Sequence, residues 1–189
     1  SLSTPHQFDV TDLVRSGDTN RITIRVDNRD IHNLGEFPSA YTDETQTIWN
    51  GMIGRLEIQA LDPVHAHSIQ LYPDTEYRRV TVKGTWSNTT CMEAQASLAI
   101  TARVTNGDYP HETDPRQYAF VIAPLSSEAF SFDYDMGEDI LLWDEFSPNM
   151  YEMKLASQVR LNRTMLDSEQ FHPFGMRSFQ SNGSQFNVN

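Results

Sequence analysis

The sequence predicts an all-β chain built from β-sandwiches, and three observations carry that reading. Apolar and polar residues alternate with period two over most of the chain, the pattern of antiparallel strands with one wet face. Gly-containing turn signals separate the alternating runs: Ser16-Gly17-Asp18, Asn106-Gly107-Asp108 and Asn182-Gly183-Ser184. No segment sustains a 3.6-residue apolar period, so no amphipathic helix is expected. Several short strands joined by such turns suggest β-sandwiches.

Taken in order, residues 21–27 place Ile22, Ile24 and Val26 on one face and Thr23, Arg25 and Asp27 on the other. Residues 53–60 repeat the scheme with Leu56, Ile58 and Ala60. A strand carrying Ile69 and Leu71 then runs into Tyr72-Pro73-Asp74, where the alternation breaks and restarts at Tyr77. That break divides the chain into two expected domains, 1–73 and 74–189. In the second, residues 79–83 bury Val80 and Val82. The longest run follows: Met92, Ala94, Ala96, Leu98, Ile100, Ala102 and Val104 on one parity. Residues 118–122 and 130–134 read as further strands. The last clear strand puts Tyr151, Met153, Leu155, Val159 and Leu161 inside, with Glu152, Lys154, Gln158 and Arg160 outside. A loop is expected between it and Phe174.

The totals narrow the function. The chain has 189 residues, enough for a real core. Its net charge of −12 opposes a phosphate backbone and an anionic bilayer, so neither nucleic acid nor membrane is an expected partner. No apolar run reaches the ~18 residues of a membrane helix. With Cys91 as the single cysteine, neither an intrachain disulfide nor a cysteine metal cluster can form. Cys91 is expected to pack inside the strand it opens. The chain opens like a cut in a longer protein, and its localisation is not readable.

Two stretches near the end carry more information: Leu141-Leu142-Trp143-Asp144-Glu145-Phe146-Ser147-Pro148-Asn149-Met150-Tyr151 and Phe174-Gly175-Met176-Arg177-Ser178-Phe179. Their order resembles the second, immunoglobulin-like domain of glycoside hydrolase family 2, the β-galactosidase and β-glucuronidase family. There a Leu-Trp…Pro…Leu-Tyr segment leads to Phe-Gly-Phe-Arg just before the catalytic barrel. Phe8-Asp9-Val10-Thr11-Asp12-Leu13-Val14 and the following Arg25-Val26-Asp27-Asn28 resemble part of the jelly-roll, sugar-binding domain that opens the family. So does Trp49-Asn50-Gly51-Met52-Ile53-Gly54-Arg55-Leu56-Glu57-Ile58, and the Ile69-x-Leu71-x-Pro73 exit is similar to the crossover between domains. The resemblance implies an immunoglobulin-like β-sandwich over 74–189, preceded by the C-terminal part of a jelly-roll over 1–73. The early strands of that first domain are absent, so residues 1–73 are expected to pack against domain two or a second chain, or to be poorly ordered.

The resemblance also implies a retaining hydrolase whose two glutamates sit on a (β/α)₈ barrel, about 5–5.5 Å apart. The family's acid/base follows an asparagine. This chain has no Asn-Glu dipeptide and no βα alternation. Asp144 and Glu145 are adjacent in an extended stretch and point to opposite faces, so they cannot form the pair. No catalytic residue, metal site or cofactor is therefore expected in the segment itself. The substrate-contact candidates are Trp49, whose indole can stack on a pyranose face, Asn50, whose amide can bond hydroxyls, and Asp43 and Glu44 in the loop before them. The alternative for Trp49 is a plug at a sandwich edge.

Other residues read as structural. Trp143 is expected to fill the domain-two core, and Arg177 to pair with a carboxylate at the barrel junction. His65 and His67 share a strand face but lack a third zinc ligand nearby. The acidic stretch 133–145 lacks the Asp-x-Asp-x-Asp-Gly order of a calcium loop and reads as a solvated face. Asn88-Thr89-Thr90, Asn162-Arg163-Thr164 and Asn182-Gly183-Ser184 match the glycosylation sequon but matter only in a eukaryotic secretory setting. The expected partners are the catalytic barrel of the same parent chain, a glycan at the domain edge and a second copy in a homo-oligomer. Two readings compete with the hydrolase segment. A stand-alone carbohydrate-binding module needs coplanar exposed aromatics, and Trp49, Trp86 and Trp143 share no spacing. An immunoglobulin-like adhesion module predicts further similar repeats.

Overall fold

A computed structural model describes residues 6–27, 35, 51–52, 54–107 and 109–189. The chain divides into two compact units, Ser1–Ile58 and Gln59–Asn189. The described residues contain no helix.

The described residues of the second unit form nine strands: β1 (Val64–Asp74), β2 (Arg79–Asn88), β3 (Ala94–Asn106), β4 (Arg116–Ile122), β5 (Ser126–Asp135), β6 (Met150–Leu161), β7 (Thr164–Phe174), β8 (Phe179–Asn182) and β9 (Gln185–Val188). The first seven form two sheets of order β1-β2-β5 and β4-β3-β6-β7, and β8-β9 is a separate hairpin. Every ladder is antiparallel. This is an immunoglobulin-like sandwich in which the fourth strand pairs with the third instead of joining the sheet of the first, second and fifth.

Alternation explains which side chains meet. On β3, Ala94, Ala96, Leu98, Ile100 and Ala102 are buried. On β6, Tyr151, Met153, Leu155 and Val159 face them from the neighbouring strand. The opposite sheet contributes Val80, Val82 and Tyr134 to one cluster with Leu98, Ile100, Ala102, Tyr151, Met153 and Leu155. A second cluster fills the other end with Val64, Ala66, Trp86, Ile122 and Val159. Phe120 and Phe130 lie 5.7 and 6.3 Å from the Trp86 ring. Gly84 makes this packing possible. A Cβ there would lie 2.6 Å from Ile69 Cδ1 and closer still to Phe130.

Four sequence expectations change. The break at Pro73 is a strand end within the second unit: β1 pairs with β2 from Val64↔Asn88 to Asp74↔Arg79, so 64–73 belong to the sandwich sheet. The expected loop before Phe174 is β7. It lies at the edge of its sheet, where Pro173 is tolerated because no further strand needs the N–H that proline lacks, and Asp167 and Glu169 face solvent. Cys91 is exposed, because β3 begins three residues later at Ala94 and Cys91 falls in the preceding turn. The core indole is Trp86, 1% exposed, whereas Trp143 is half-buried outside both core clusters.

In the first unit the described residues form no strand. Ile22, Ile24 and Val26 are 61%, 46% and 46% exposed. The expected alternation is present in the sequence, but no ladder stands against it among the described residues. Residues 54–60 likewise lie outside any strand.

Candidate functional site

Trp49, Asn50, Asp43 and Glu44 lie outside the described residues. The polar and aromatic groups that the structure does bring together stand at one end of the sandwich. There the β3–β4 loop, the connection from β5 to β6, and the segment leaving β7 converge.

The connection folds on its own side chains. Asp144 Oδ1 accepts the amides of Phe146 at 2.8 Å and Ser147 at 2.7 Å, making a turn that reverses the chain at Pro148. Asn149, buried, donates from Nδ2 to the Leu142 carbonyl at 2.8 Å. The two stretches singled out in the sequence then meet. Leu142 bridges Met176 in parallel, and the Trp143 amide donates to the Met176 carbonyl at 2.9 Å. Gly175 lies under Trp143, where a Cβ would come within 3.1 Å of the Trp143 Cβ. Arg177 stacks its guanidinium 4.8 Å from the centre of the Trp143 ring. Among the described residues Arg177 is thus a cation–π partner of Trp143. Asn189 closes the clasp. Its Nδ2 donates to the Trp143 carbonyl at 2.8 Å, and its Oδ1 accepts the Ser178 amide at 2.9 Å.

Between β7 and that closure projects the β8-β9 hairpin, turning at Gly183 with φ of 62°. The register puts Phe179, Ser181, Phe186 and Val188 on one face. The Phe179 and Phe186 rings stack at 5.2 Å and are 64% and 72% exposed.

Under the clasp sits the tyrosine corner of the fold. Tyr151, fully buried near the start of β6, accepts the Leu141 amide on its hydroxyl at 3.0 Å. The same oxygen is 2.9 Å from His111 Nδ1, and the two rings meet edge-on. Burial pushes the Tyr151 phenol up, with the Leu141 hydrogen bond opposing, so it stays neutral and keeps its proton. A second buried phenol, Tyr134, ties β5 to the β3–β4 loop through Thr113 Oγ1 and the Asp114 carbonyl. Sequence reading placed Tyr151 inside but missed its polar role. The available signal was a Tyr two residues before Met153 at a strand start. An open cavity of about 590 Å³ beside this corner is lined by Tyr109, His111, Glu112, Glu138 and Asp139, with Ile140 and Leu141 as its apolar wall.

Asp133 and Asp135 of the acidic stretch are tied to the sheets. Asp133 receives Arg79 at 2.8 Å and Thr81 at 2.7 Å, and Asp135 lies 3.8 Å from Arg116. His65 and His67 lie 5.5 Å apart, each bonded locally, to the Asp62 carbonyl and Ser68 Oγ. Burial, then the neighbouring His65, pulls His67 down. No three His, Cys, Asp or Glu side chains are grouped as a metal site among the described residues.

No protein-family model matches the sequence, and no curated protein matches it. Solved structures do. Bacteroides uniformis β-glucuronidase 2, bound covalently to cyclophellitol-6-carboxylate aziridine, superposes with a TM-score of 0.50 at 18% identity over 64% of this chain. Another crystal structure of Bacteroides uniformis β-glucuronidase gives the same values. A glycosyl hydrolase family 2 member from Bacteroides cellulosilyticus gives a TM-score of 0.47 at 14% identity over 68% of this chain. The matched part spans 14% of each β-glucuronidase chain, a small fraction of its length. At such identity the likeness is one of fold: the all-β sandwich of this chain is also found as a segment of the β-glucuronidase.

Proposed function

We propose that this chain is a non-catalytic β-sandwich segment of a family 2 glycoside hydrolase, whose parent enzyme hydrolyses O-glycosidic bonds. The observation that carries the reading is the Trp143 clasp. It joins the two stretches that resemble the family, on a sandwich whose fold recurs in a β-glucuronidase. The clasp fixes the direction in which the chain leaves β7, so the sandwich acts as a rigid mount for whatever continues from it. In this reading a (β/α)₈ barrel continues the chain and carries both glutamates, retaining configuration with carboxylates about 5–5.5 Å apart. The segment supports that barrel and shapes its entrance. The first unit, Ser1–Ile58, is the end of the sugar-binding jelly-roll, and Trp49, Asn50, Asp43 and Glu44 contact the glycan at its edge. The same resemblance implies homo-oligomer contacts.

The test is direct. The 189-residue chain is assayed with 4-nitrophenyl β-glucuronide and β-galactoside, and the reading frame around it is sequenced. No turnover by the chain, together with a barrel carrying Asn-Glu after Asn189, is the expected result. Turnover by the chain alone overturns the non-catalytic assignment. A flanking frame of repeated sandwiches overturns the hydrolase and favours an adhesion module. Binding of a simple sugar by the isolated chain at millimolar or tighter affinity favours a carbohydrate-binding module.

A further inference from the structure

We propose that His111 is a proton-operated latch on the tyrosine corner: neutral, it accepts the Tyr151 hydroxyl proton and holds the β5–β6 connection in place; protonated, it leaves Tyr151 for the carboxylates of Glu138 and Asp139.

The argument is one of donors and acceptors. The Tyr151 oxygen already accepts the Leu141 amide at 3.0 Å. Its single proton needs an acceptor in a buried place, and His111 Nδ1 at 2.9 Å is that acceptor. The arrangement requires a bare Nδ1, hence a neutral ring with its proton on Nε2. A protonated ring presents N–H at Nδ1 instead. The phenol oxygen would then face two donors and its own proton would be orphaned inside the fold, which is costly.

The charged groups around the ring supply the second state. On its own loop stand Tyr109 and Glu112, from the β5–β6 connection come Glu138 and Asp139, and from β6 comes Tyr151. The nearby cation, Arg103, is held at 3.0 Å by Glu152 on the outer face. The His111 backbone is fixed, because its carbonyl accepts the Val104 amide at 2.9 Å and the Thr113 amide binds Ala102 just beyond. The change is therefore a rotation of the ring away from Tyr151 and into the acidic cavity. Among side chains, histidine is the type whose charge ordinarily changes between about pH 5 and pH 8. The connection it releases also carries Trp143 and Asp144. Loosening it loosens the clasp that fixes the chain's exit from β7.

The experiment uses the full chain and two NMR readings. The imidazole ¹⁵N–¹H correlation at about pH 8 reports which nitrogen of His111 carries the proton. Hydrogen exchange, corrected for intrinsic rate, reports protection of the Leu141 amide from about pH 8 to pH 5. The expected results are a bare Nδ1 and about a tenfold loss of Leu141 protection on acidification. His111→Asn places a non-titrating carboxamide oxygen near the Nδ1 position and should make that protection independent of pH. A neutral ring protonated on Nδ1 overturns the proposal. So does unchanged Leu141 protection in the natural chain, or a His111→Asn chain as pH-dependent as the natural one. The two readings on the natural chain decide the matter even where the variant folds poorly.

Discussion

Residues 21–27 and β3 share one sequence pattern and differ in outcome. Both alternate strictly, and the first is the richer in β-branched residues, with Ile22, Ile24, Val26 and Thr23 against the alanines of β3. Propensity alone ranks 21–27 above β3. Yet β3 is the centre of a four-stranded sheet with Leu98 and Ile100 sealed, while Ile24 is 46% exposed and in no strand. The difference, among the described residues, is strand neighbours. β3 has β4 on one side, β6 on the other and the opposing sheet's Val80 and Val82 across the core. Alternation states which residues would be buried if a partner came. It does not supply the partner.

The sharpest way to break this comparison is to remove the largest side chain on the packed side. Trp86→Ala should cost about 3–5 kcal/mol in chemical denaturation, a large part of a domain's stability of about 5–15 kcal/mol. A loss under about 1 kcal/mol would mean that the Trp86 end of the sandwich collapses onto the cavity. Next comes the corner. Tyr151→Phe keeps the ring but removes the acceptor of the Leu141 amide and the donor to His111, and should cost about 1–3 kcal/mol. Trp143→Ala tests whether the clasp is core or surface. Half-buried and stacked with Arg177, it should cost about 1–2 kcal/mol, well below Trp86. A loss equal to that of Trp86→Ala would place Trp143 back among the core residues.

The smaller effects concern pH and the exposed strand-like segment. Burial holds His172 on β7 below the ordinary histidine range. The unfolded chain then binds more protons below about pH 6.5, so stability falls as pH drops through that region. His172→Asn should flatten part of this slope, measured by denaturant midpoints at several pH values. Ile24→Ser should change the stability of the sandwich by less than about 0.5 kcal/mol, as an exposed substitution does. A loss like that of a buried isoleucine would show that the segment has found a partner in solution.

Much of the sandwich was legible in sequence. The inward faces of β3 and β6, and Val80 and Val82 of β2, were read from the sequence, because each is a central or long strand with one wet face. The hairpin turn at Gly183 was legible for a similar reason, since an Asn-Gly pair fits the positive φ the turn needs. β7 was not legible. An edge strand carries Pro173 and charged residues without cost to a ladder, so its sequence looks like a loop. Cys91 and Trp143 were misplaced because the exact strand ends, and hence which side chains fall in turns, depend on tertiary pairing. Of the candidate site, the sequence singled out both halves of the clasp and named Arg177 and Trp143. It did not find their cation–π contact, the Asp144 turn or His111, whose partners are far apart along the chain.

What the sequence by itself determined is the class and the faces: all-β, with the residues that point inward marked by period two, because the pleat forces that alternation on any strand. What only the tertiary structure decided is which alternating runs become strands, which tryptophan is core, and which groups the Tyr151 hydroxyl meets. Those depend on a second surface about 10 Å away or on a partner 40 residues distant in sequence, and no local pattern encodes them.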